Sequence, residues 1–208
     1  MDADGYHILD VDLLAFEKGT NTTRAAVVAA VQRSLQTGFV YTSHDLSAAL
    51  LDDAYGMLQE FFALPAAEKA AFVAPGSNGQ TGYTGLLVET AAVSDHPDWK
   101  EMLNWSRDLP SGHPLRAKYP HRYMDQVLPD AVVPGISAVL NVFHDRIFDL
   151  QRRFLRVIAL GIGCHNGRRL RSGVWSAVVA DVLRTRIAFH AGRLAGRRWV
   201  CGGGRCCA

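Results

Sequence analysis

The amino-acid sequence predicts an α+β fold up to about residue 165. Short segments rich in β-branched and aromatic residues alternate with segments whose apolar residues recur every three or four positions. The last helical segment is the longest, and its apolar residues form one continuous face. Such a face needs cover, so we expect a sheet to follow it.

The chain begins with two predicted strands and a helix between them. The segment HILDVDLLAF, residues 7–16, alternates apolar and polar residues and predicts a strand. A helix is predicted over about 23–36, capped by Thr22 and ended by Gly38. The β-branched and aromatic segment FVYTS, residues 39–43, predicts the second strand.

Two further helices and a turn follow the second strand. Asp45 is the predicted cap of the first helix, whose buried stripe is Leu50, Ala54, Leu58 and Phe61. Pro65 opens a short helix. Residues 74–82, APGSNGQTG, have the composition of turns.

The second half of the chain leads through a proline-rich loop, residues 109–134, into the longest helix. That helix is predicted over about 134–160 and spans roughly 40 Å. Its apolar face is Ile136, Leu140, Phe143, Ile147, Leu150, Phe154 and Ile158. Beyond it, VWSAVVADV (174–182) and RIAFH (186–190) are the candidate strands.

The charge of the chain changes abruptly near residue 165. Residues 1–165 have a net charge of −6, whereas residues 166–208 have nine arginines, no lysine and one acid, a net charge of +8. We therefore predict a domain over 1–165 and an Arg/Gly/Cys-rich tail over 166–208 that is either translated out of frame or disordered. Trp175 and Trp199 in that tail are atypical of a nucleic-acid-binding arm.

The composition also disfavours several protein classes. No apolar run reaches the roughly 20 residues needed to cross a bilayer. Asp2 and Asp4 stand where a signal peptide carries positive charge, so we expect a cytoplasmic protein. The cysteines lack the spacing of a zinc site; they are Cys164, Cys201, Cys206 and Cys207.

Five segments occur in the order and spacing of a known family. They are HILDVDLLAF, TGFVYTSHDL (37–46), FFALPAAEKAAF (61–72), TGYTGLLVETAAVSDHPDWKEMLNW (81–105) and the helix ending VIALGIG. Together they resemble the N-terminal region of the isopenicillin N synthase-like Fe(II)/2-oxoglutarate dioxygenases. The resemblance covers about residues 6–165.

The resemblance implies a domain that supports a double-stranded β-helix, or jelly-roll barrel. In the full-length family this barrel binds Fe(II) through a His-x-Asp pair and a distal histidine. An Arg-x-Ser there holds 2-oxoglutarate. The implied function is oxidation of a small organic substrate.

The sequence departs from the family after His165. His190 stands alone there, and neither His-x-Asp nor Arg-x-Ser follows. His96-Pro97-Asp98 matches His-x-Asp but lies in a loop of the N-terminal region, so we interpret it as a chance match. We therefore expect the barrel to be largely missing. No catalytic residue, metal ligand or cofactor is assigned to this chain, and whether it is itself an enzyme stays open.

Three explanations for the change at residue 166 stay open. The arginine, glycine, cysteine and tryptophan enrichment without lysine is typical of a GC-rich gene read out of frame. In that case the chain is an inactive portion of the oxidoreductase. Alternatively, the tail is genuine and the chain is a non-catalytic binding or interaction module. The third possibility is a separate chain that supplies a complementing barrel.

The resemblance also implies candidate substrate-binding residues. Positions around Gly82-Tyr83 line the substrate side of the barrel in the family, which makes Thr81, Tyr83 and Glu89 the candidates. The structural alternatives are a packed Tyr83 with its hydroxyl in water and a Glu89 that caps a strand. We expect His144 to lie on the polar face of the long helix.

Overall fold

The structure, a computed structural model, describes residues 8–34, 39–92, 94–162 and 185–190. The strands are β1 (Leu9–Val11), β2 (Val40–Thr42), β3 (Gly82–Thr84), β4 (Lys100–Trp105) and β5 (Thr185–His190). The helices are α1 (Leu13–Lys18), α2 (Asn21–Ser34), α3 (Ala48–Ala63), α4 (Ala66–Lys69), α5 (Pro114–Lys118) and α6 (Ile136–Gly161), with a 3₁₀ turn at Ala70–Phe72.

The chain divides into two units. The first contains the described residues up to 46 and those from 147 to 162, and the second contains 47–146 and β5. The predicted domain boundary at residue 165 and the candidate strand at 174–182 lie outside the described residues. The strand predicted at 186–190 is confirmed as β5.

In the first unit, β1 and β2 pair with each other in parallel, with Leu9 opposite Val40. Apolar residues of β1, α1, α2 and α6 form the core of this unit. Its buried members are Val11, Leu13, Val27, Val31 and Val157. The apolar face of α6 was expected to be covered by a later sheet. Within this unit, part of that face is instead covered by the core residues.

The predicted strand over residues 7–16 is too long. The strand ends at Val11 because Asp12 starts a helix: an Oδ1 atom of Asp12 accepts a hydrogen bond from the Ala15 amide at 2.9 Å. The Ser43 hydroxyl donates to the same atom at 2.6 Å. The Ser43 and Ala15 hydrogen bonds lower the pKa of Asp12.

Two predicted helix caps are also wrong. Helix α2 begins at Asn21, and the Oγ1 atom of Thr20, rather than Thr22, accepts a bond from a first-turn amide. Ser47, rather than Asp45, caps α3. The predicted stripe of α3 is confirmed at its buried residues Ala54, Leu58 and Phe61, while Leu50 is half-buried.

The second unit contains an antiparallel sheet in the order β3-β4-β5. Tyr83, Leu103 and Trp105 share one face of it. On that face the Trp105 indole N–H donates to the Leu140 carbonyl oxygen at 3.3 Å, and Phe61 packs edge-on against Tyr83. Among the described residues the strands form no closed barrel.

The long helix α6 confirms the prediction closely, since it runs over Ile136–Gly161. Asp130 holds its start, accepting bonds from the amide and hydroxyl of Ser137 at 3.2 and 2.8 Å. The prediction that His144 lies on the polar face of this helix is wrong. His144 is only 4% exposed, because it lies one turn after the buried Leu140. In the described part of the chain, no helix combines the length and hydropathy needed to cross a membrane.

Candidate functional site

The turn before β3 places the candidate residues. Gly82 adopts a φ of +76°, and a Cβ atom there would lie 2.5 Å from the Phe72 carbonyl oxygen. Only glycine fits this close approach. Because side chains alternate along a strand, Tyr83 and Thr84 then point to opposite faces of the sheet.

The Tyr83 face contains a buried charged cluster. The Lys69 ammonium lies 2.7 Å from a carboxylate oxygen of Glu101, and these side chains are 7% and 10% exposed. The Tyr83 hydroxyl donates to the same oxygen at 2.5 Å. Lys69 also donates to the Phe62 carbonyl oxygen at 3.0 Å. Every one of these groups is therefore engaged within the protein.

The cluster determines the protonation of Tyr83. Burial, and then the neighbouring Glu101 carboxylate, raise the pKa of the Tyr83 phenol. The structural alternative for Tyr83 was a packed side chain with its hydroxyl in water. The side chain is packed, but its hydroxyl donates to Glu101. Lys69 and Glu101 were not singled out from the sequence, although both lie in segments that carry the resemblance.

The opposite face of the sheet carries two polar residues. Thr84 and Asn104 are 5% and 2% exposed and are diagonal neighbours, because Gly82 pairs with Asn104 and Thr84 with Met102. The Asn104 amide nitrogen donates to the Gly79 carbonyl oxygen at 2.7 Å. Among the described residues, neither the Thr84 hydroxyl nor the Asn104 Oδ1 atom has a hydrogen-bond partner. Neither residue was predicted from the sequence.

Glu89 lies near this second face, and Thr81 lies just before β3. Thr81 is buried, and its hydroxyl is 3.4 Å from the side-chain oxygen of Gln126. A carboxylate oxygen of Glu89 lies 3.1 Å from the Lys100 ammonium, so Glu89 forms an ion pair within the protein. A Cβ atom added at Gly79 would lie 3.2 Å from the Thr84 hydroxyl and 3.6 Å from a Glu89 oxygen, which places Glu89 beside Thr84.

The described residues do not fit a metal centre. They bring no three histidine, cysteine, aspartate or glutamate side chains together in a ligating group. Within His96-Pro97-Asp98 the Asp98 carboxylate pairs with Lys100 at 2.8 Å, and His96 is exposed.

Comparison with known proteins identifies the N-terminal region. A family model described as "non-haem dioxygenase in morphine synthesis N-terminal" matches residues 8–130. Leucoanthocyanidin dioxygenase 2 of Oryza sativa subsp. japonica is 29% identical over 187 residues, 88% of this chain and 46% of that protein. The 2-oxoglutarate-dependent dioxygenase phqC of Penicillium fellutanum is 28% identical over 76% of this chain and 48% of its own length.

Solved structures share the fold. A putative 2OG-Fe(II) oxygenase family protein of Caulobacter crescentus is 27% identical with a TM-score of 0.56, over 76% of this chain and 49% of that one. Full-length Neurospora crassa T7H, in complex with alpha-KG and 5-formyluracil, is 22% identical with a TM-score of 0.63, over 90% of this chain and 53% of that one.

The chain spans about half the length of the curated relatives it matches. Both relatives are dioxygenases by name, and phqC is a 2-oxoglutarate-dependent one. The family match extends from β1 through β4 and so includes the strand that carries Tyr83 and Thr84. The chain belongs to the non-haem dioxygenase N-terminal family.

Proposed function

We propose that the chain is the N-terminal portion of a non-haem Fe(II)- and 2-oxoglutarate-dependent oxidoreductase that acts on a small organic substrate. The family match over residues 8–130 carries this proposal. It is supported by a T7H structure that contains alpha-KG and thymine, a small-molecule complex in a protein of the same fold.

The proposed role of this portion is to support a jelly-roll barrel and to line its substrate side. In this proposal the helices cover the Tyr83 face of the sheet, and the Thr84 face is turned toward the substrate. Support comes from the two faces themselves. The first is filled by aromatic side chains and a closed charged cluster, whereas the second contains two buried polar atoms with no partner among the described residues.

Of the candidate substrate-binding residues Thr81, Tyr83 and Glu89, Thr81 and Glu89 stay predicted contacts, and Tyr83 is proposed to act indirectly. Glu89 lies near the Thr84 face. Thr81 is buried and lies just before β3. Tyr83 is on the other face and already donates to Glu101. We therefore propose that Tyr83 acts on the substrate side by fixing β3 against β4, not by direct contact.

We further propose that the 208-residue chain does not turn over 2-oxoglutarate by itself. The described residues provide no metal centre, and the sequence contains no Arg-x-Ser. An assay of Fe(II)-dependent succinate formation tests this directly. We expect no succinate above that of a heat-denatured sample, and turnover by the pure chain would contradict the proposal.

The most informative test is a DNA read from codon 150 through several hundred bases beyond the stop codon, translated in all frames. We expect another frame to resume with His-x-Asp, a distal histidine and Arg-x-Ser. The protein completed in that frame should then form succinate from 2-oxoglutarate with Fe(II). If no frame resumes, the alternative of a non-catalytic binding module, or of a separate barrel chain, replaces this proposal.

A further inference from the structure

The Thr84–Asn104 face has the hydrogen-bonding pattern of a ligand subsite. Buried side-chain oxygen atoms in proteins are nearly always hydrogen-bonded, because a buried oxygen without a partner loses its hydrogen bonds to water and gains none in return. In the described part of the chain only two buried side-chain atoms lack a partner, the Thr84 hydroxyl and Asn104 Oδ1. Both occur on the same face of one strand pair.

The orientation of the Asn104 amide is determined by its partner. A backbone carbonyl oxygen only accepts hydrogen bonds, so the atom 2.7 Å from the Gly79 oxygen must be the donating nitrogen. The Oδ1 atom is consequently left as an acceptor. It can be satisfied only by an N–H or O–H group.

The Thr84 hydroxyl complements this acceptor, since a hydroxyl both donates and accepts. Diagonal neighbours across an antiparallel pair lie about 7–8 Å apart. Thr84 and Asn104 therefore present one donor–acceptor and one acceptor at a spacing that a small polar molecule spans.

The surrounding charge selects a neutral ligand. Glu89 and Asp98 both pair with Lys100, and Arg186 stands opposite Asn104 in the register of β4 against β5, so the formal charges of these residues sum to zero. With no net charge there, neither an anionic nor a cationic ligand is attracted. A neutral group with an N–H or O–H donor is favoured.

We propose that Thr84 and Asn104 form a specificity subsite that binds a neutral hydrogen-bond donor of the substrate, of the amide, lactam or hydroxyl class. This inference rests on the proposed function, since it names the chemical class of substrate for the same sheet. A lactam N–H donates to Asn104 Oδ1, and the adjacent carbonyl accepts from the Thr84 hydroxyl.

The binding test compares two fragments that differ by one donor, 2-pyrrolidinone and N-methyl-2-pyrrolidinone. Each is titrated into the isotopically labelled 208-residue chain, and the NMR shifts of the Asn104 side-chain amide and the Thr84 backbone amide are followed. We expect saturable shifts with 2-pyrrolidinone and at least tenfold weaker binding of the N-methyl analogue. Equal binding of both, or no saturable shift, overturns the proposal.

A second test uses Thr84→Val, which removes the hydroxyl at constant volume. Because that hydroxyl has no partner in the described part of the chain, the melting temperature should rise, by about 2–4 °C, while fragment affinity falls at least fivefold. Thr84→Ser keeps the hydroxyl and should keep the affinity. The control is Ser77→Ala, because Ser77 is buried and its hydroxyl donates to the Thr81 carbonyl oxygen at 3.2 Å, so its melting temperature should fall.

A fall in the melting temperature of Thr84→Val matching that of Ser77→Ala would show that the hydroxyl is satisfied within the protein and overturn the proposal. Neither test needs iron or 2-oxoglutarate. If the fragments do not bind but the protein completed in the other frame is an active dioxygenase, only the subsite proposal is overturned. Inactivity of the completed protein removes the proposed function instead.

Discussion

Lys69 and Glu101 form an ion pair, 2.7 Å apart, that joins the short helix α4 to the central strand β4 in the interior of the second unit. Taking two charges out of water is costly, and their attraction offsets that cost only while both are present. The pair makes two further hydrogen bonds: Glu101 accepts one from the Tyr83 hydroxyl, and Lys69 donates one to the Phe62 carbonyl oxygen. The cluster therefore fixes α4 to β4 as a unit.

Removing one charge should be far worse than removing both. We expect Lys69→Met to lower the free energy of unfolding by about 3–5 kcal/mol, because Glu101 is left buried without its counter-charge. The double variant Lys69→Met/Glu101→Leu should recover part of that loss. Chemical denaturation measures both, with Lys118→Met, at an exposed lysine of the same unit, as the control. Equal losses in the control would contradict the buried-pair explanation.

Tyr83 should make the protein sensitive to alkali. Its folded-state pKa is raised above the ordinary value of 10.0, so its stabilising effect is complete below about pH 10 and is lost as the pH rises further. We expect Tyr83→Phe to cost about 1–2 kcal/mol at neutral pH and to flatten the loss of stability above pH 10. Denaturant midpoints at several alkaline pH values test this. Tyr119→Phe, at an exposed tyrosine, should show the wild-type profile.

Arg153 should give the first unit its acid sensitivity. Its guanidinium contacts both oxygens of Glu17 at 2.7 Å and one oxygen of Asp45 at 2.7 Å. The hydrogen bond from Arg153 lowers the pKa of both carboxyl groups below their ordinary values of 4.5 and 3.8. Their stabilisation is therefore complete above about pH 5 and is lost as the pH falls through the lowered values.

We accordingly expect Arg153→Met to lower the free energy of unfolding by about 1–2 kcal/mol near neutral pH, with little contribution from the more exposed Asp45. The loss of stability on acidification below pH 5 should be shallower than in the wild type. Arg156→Met, at an exposed arginine of the same helix, is the control. A wild-type acid profile in Arg153→Met would disprove the assignment.

Gly82 should tolerate no side chain. Its φ of +76° disfavours any other residue, and a Cβ atom would meet the Phe72 carbonyl oxygen at 2.5 Å. We expect Gly82→Ala to lose at least about 1–3 kcal/mol of stability by thermal or chemical unfolding. Gly112 has open space around it and no positive φ, so Gly112→Ala should be neutral or slightly stabilising. Similar effects at both glycines would rule out this steric account.

The sequence predicted the elements whose signals are local and long. Helix α6 has an apolar period sustained over many turns, and its bounds were predicted within two residues at each end. Shorter signals were ambiguous. Asp12 can continue an alternating strand pattern or cap a helix, and the cap prevails because Ser43, from another part of the chain, hydrogen-bonds to the same carboxylate.

The candidate site was less predictable because it depends on pairing between separate segments. Strand β3 is three residues long, and β4 is buried or half-buried along its whole length, so neither shows a clear period of two. That Thr84 and Asn104 share a face follows only from the register of β3 against β4. Likewise, no local pattern indicates that Lys69 of a helix meets Glu101 of a strand.

The order of strands in the second sheet has a consequence for how the chain folds during synthesis. The central strand β4 receives β3 from the residues just before it but receives β5 only after the whole of α6 has been made, since Trp105 pairs with Thr185. At a translation rate of ~5–20 residues per second, one edge of β4 waits several seconds for its partner. This high contact order makes the open edge of β4 the point most exposed to wrong pairing in the nascent chain.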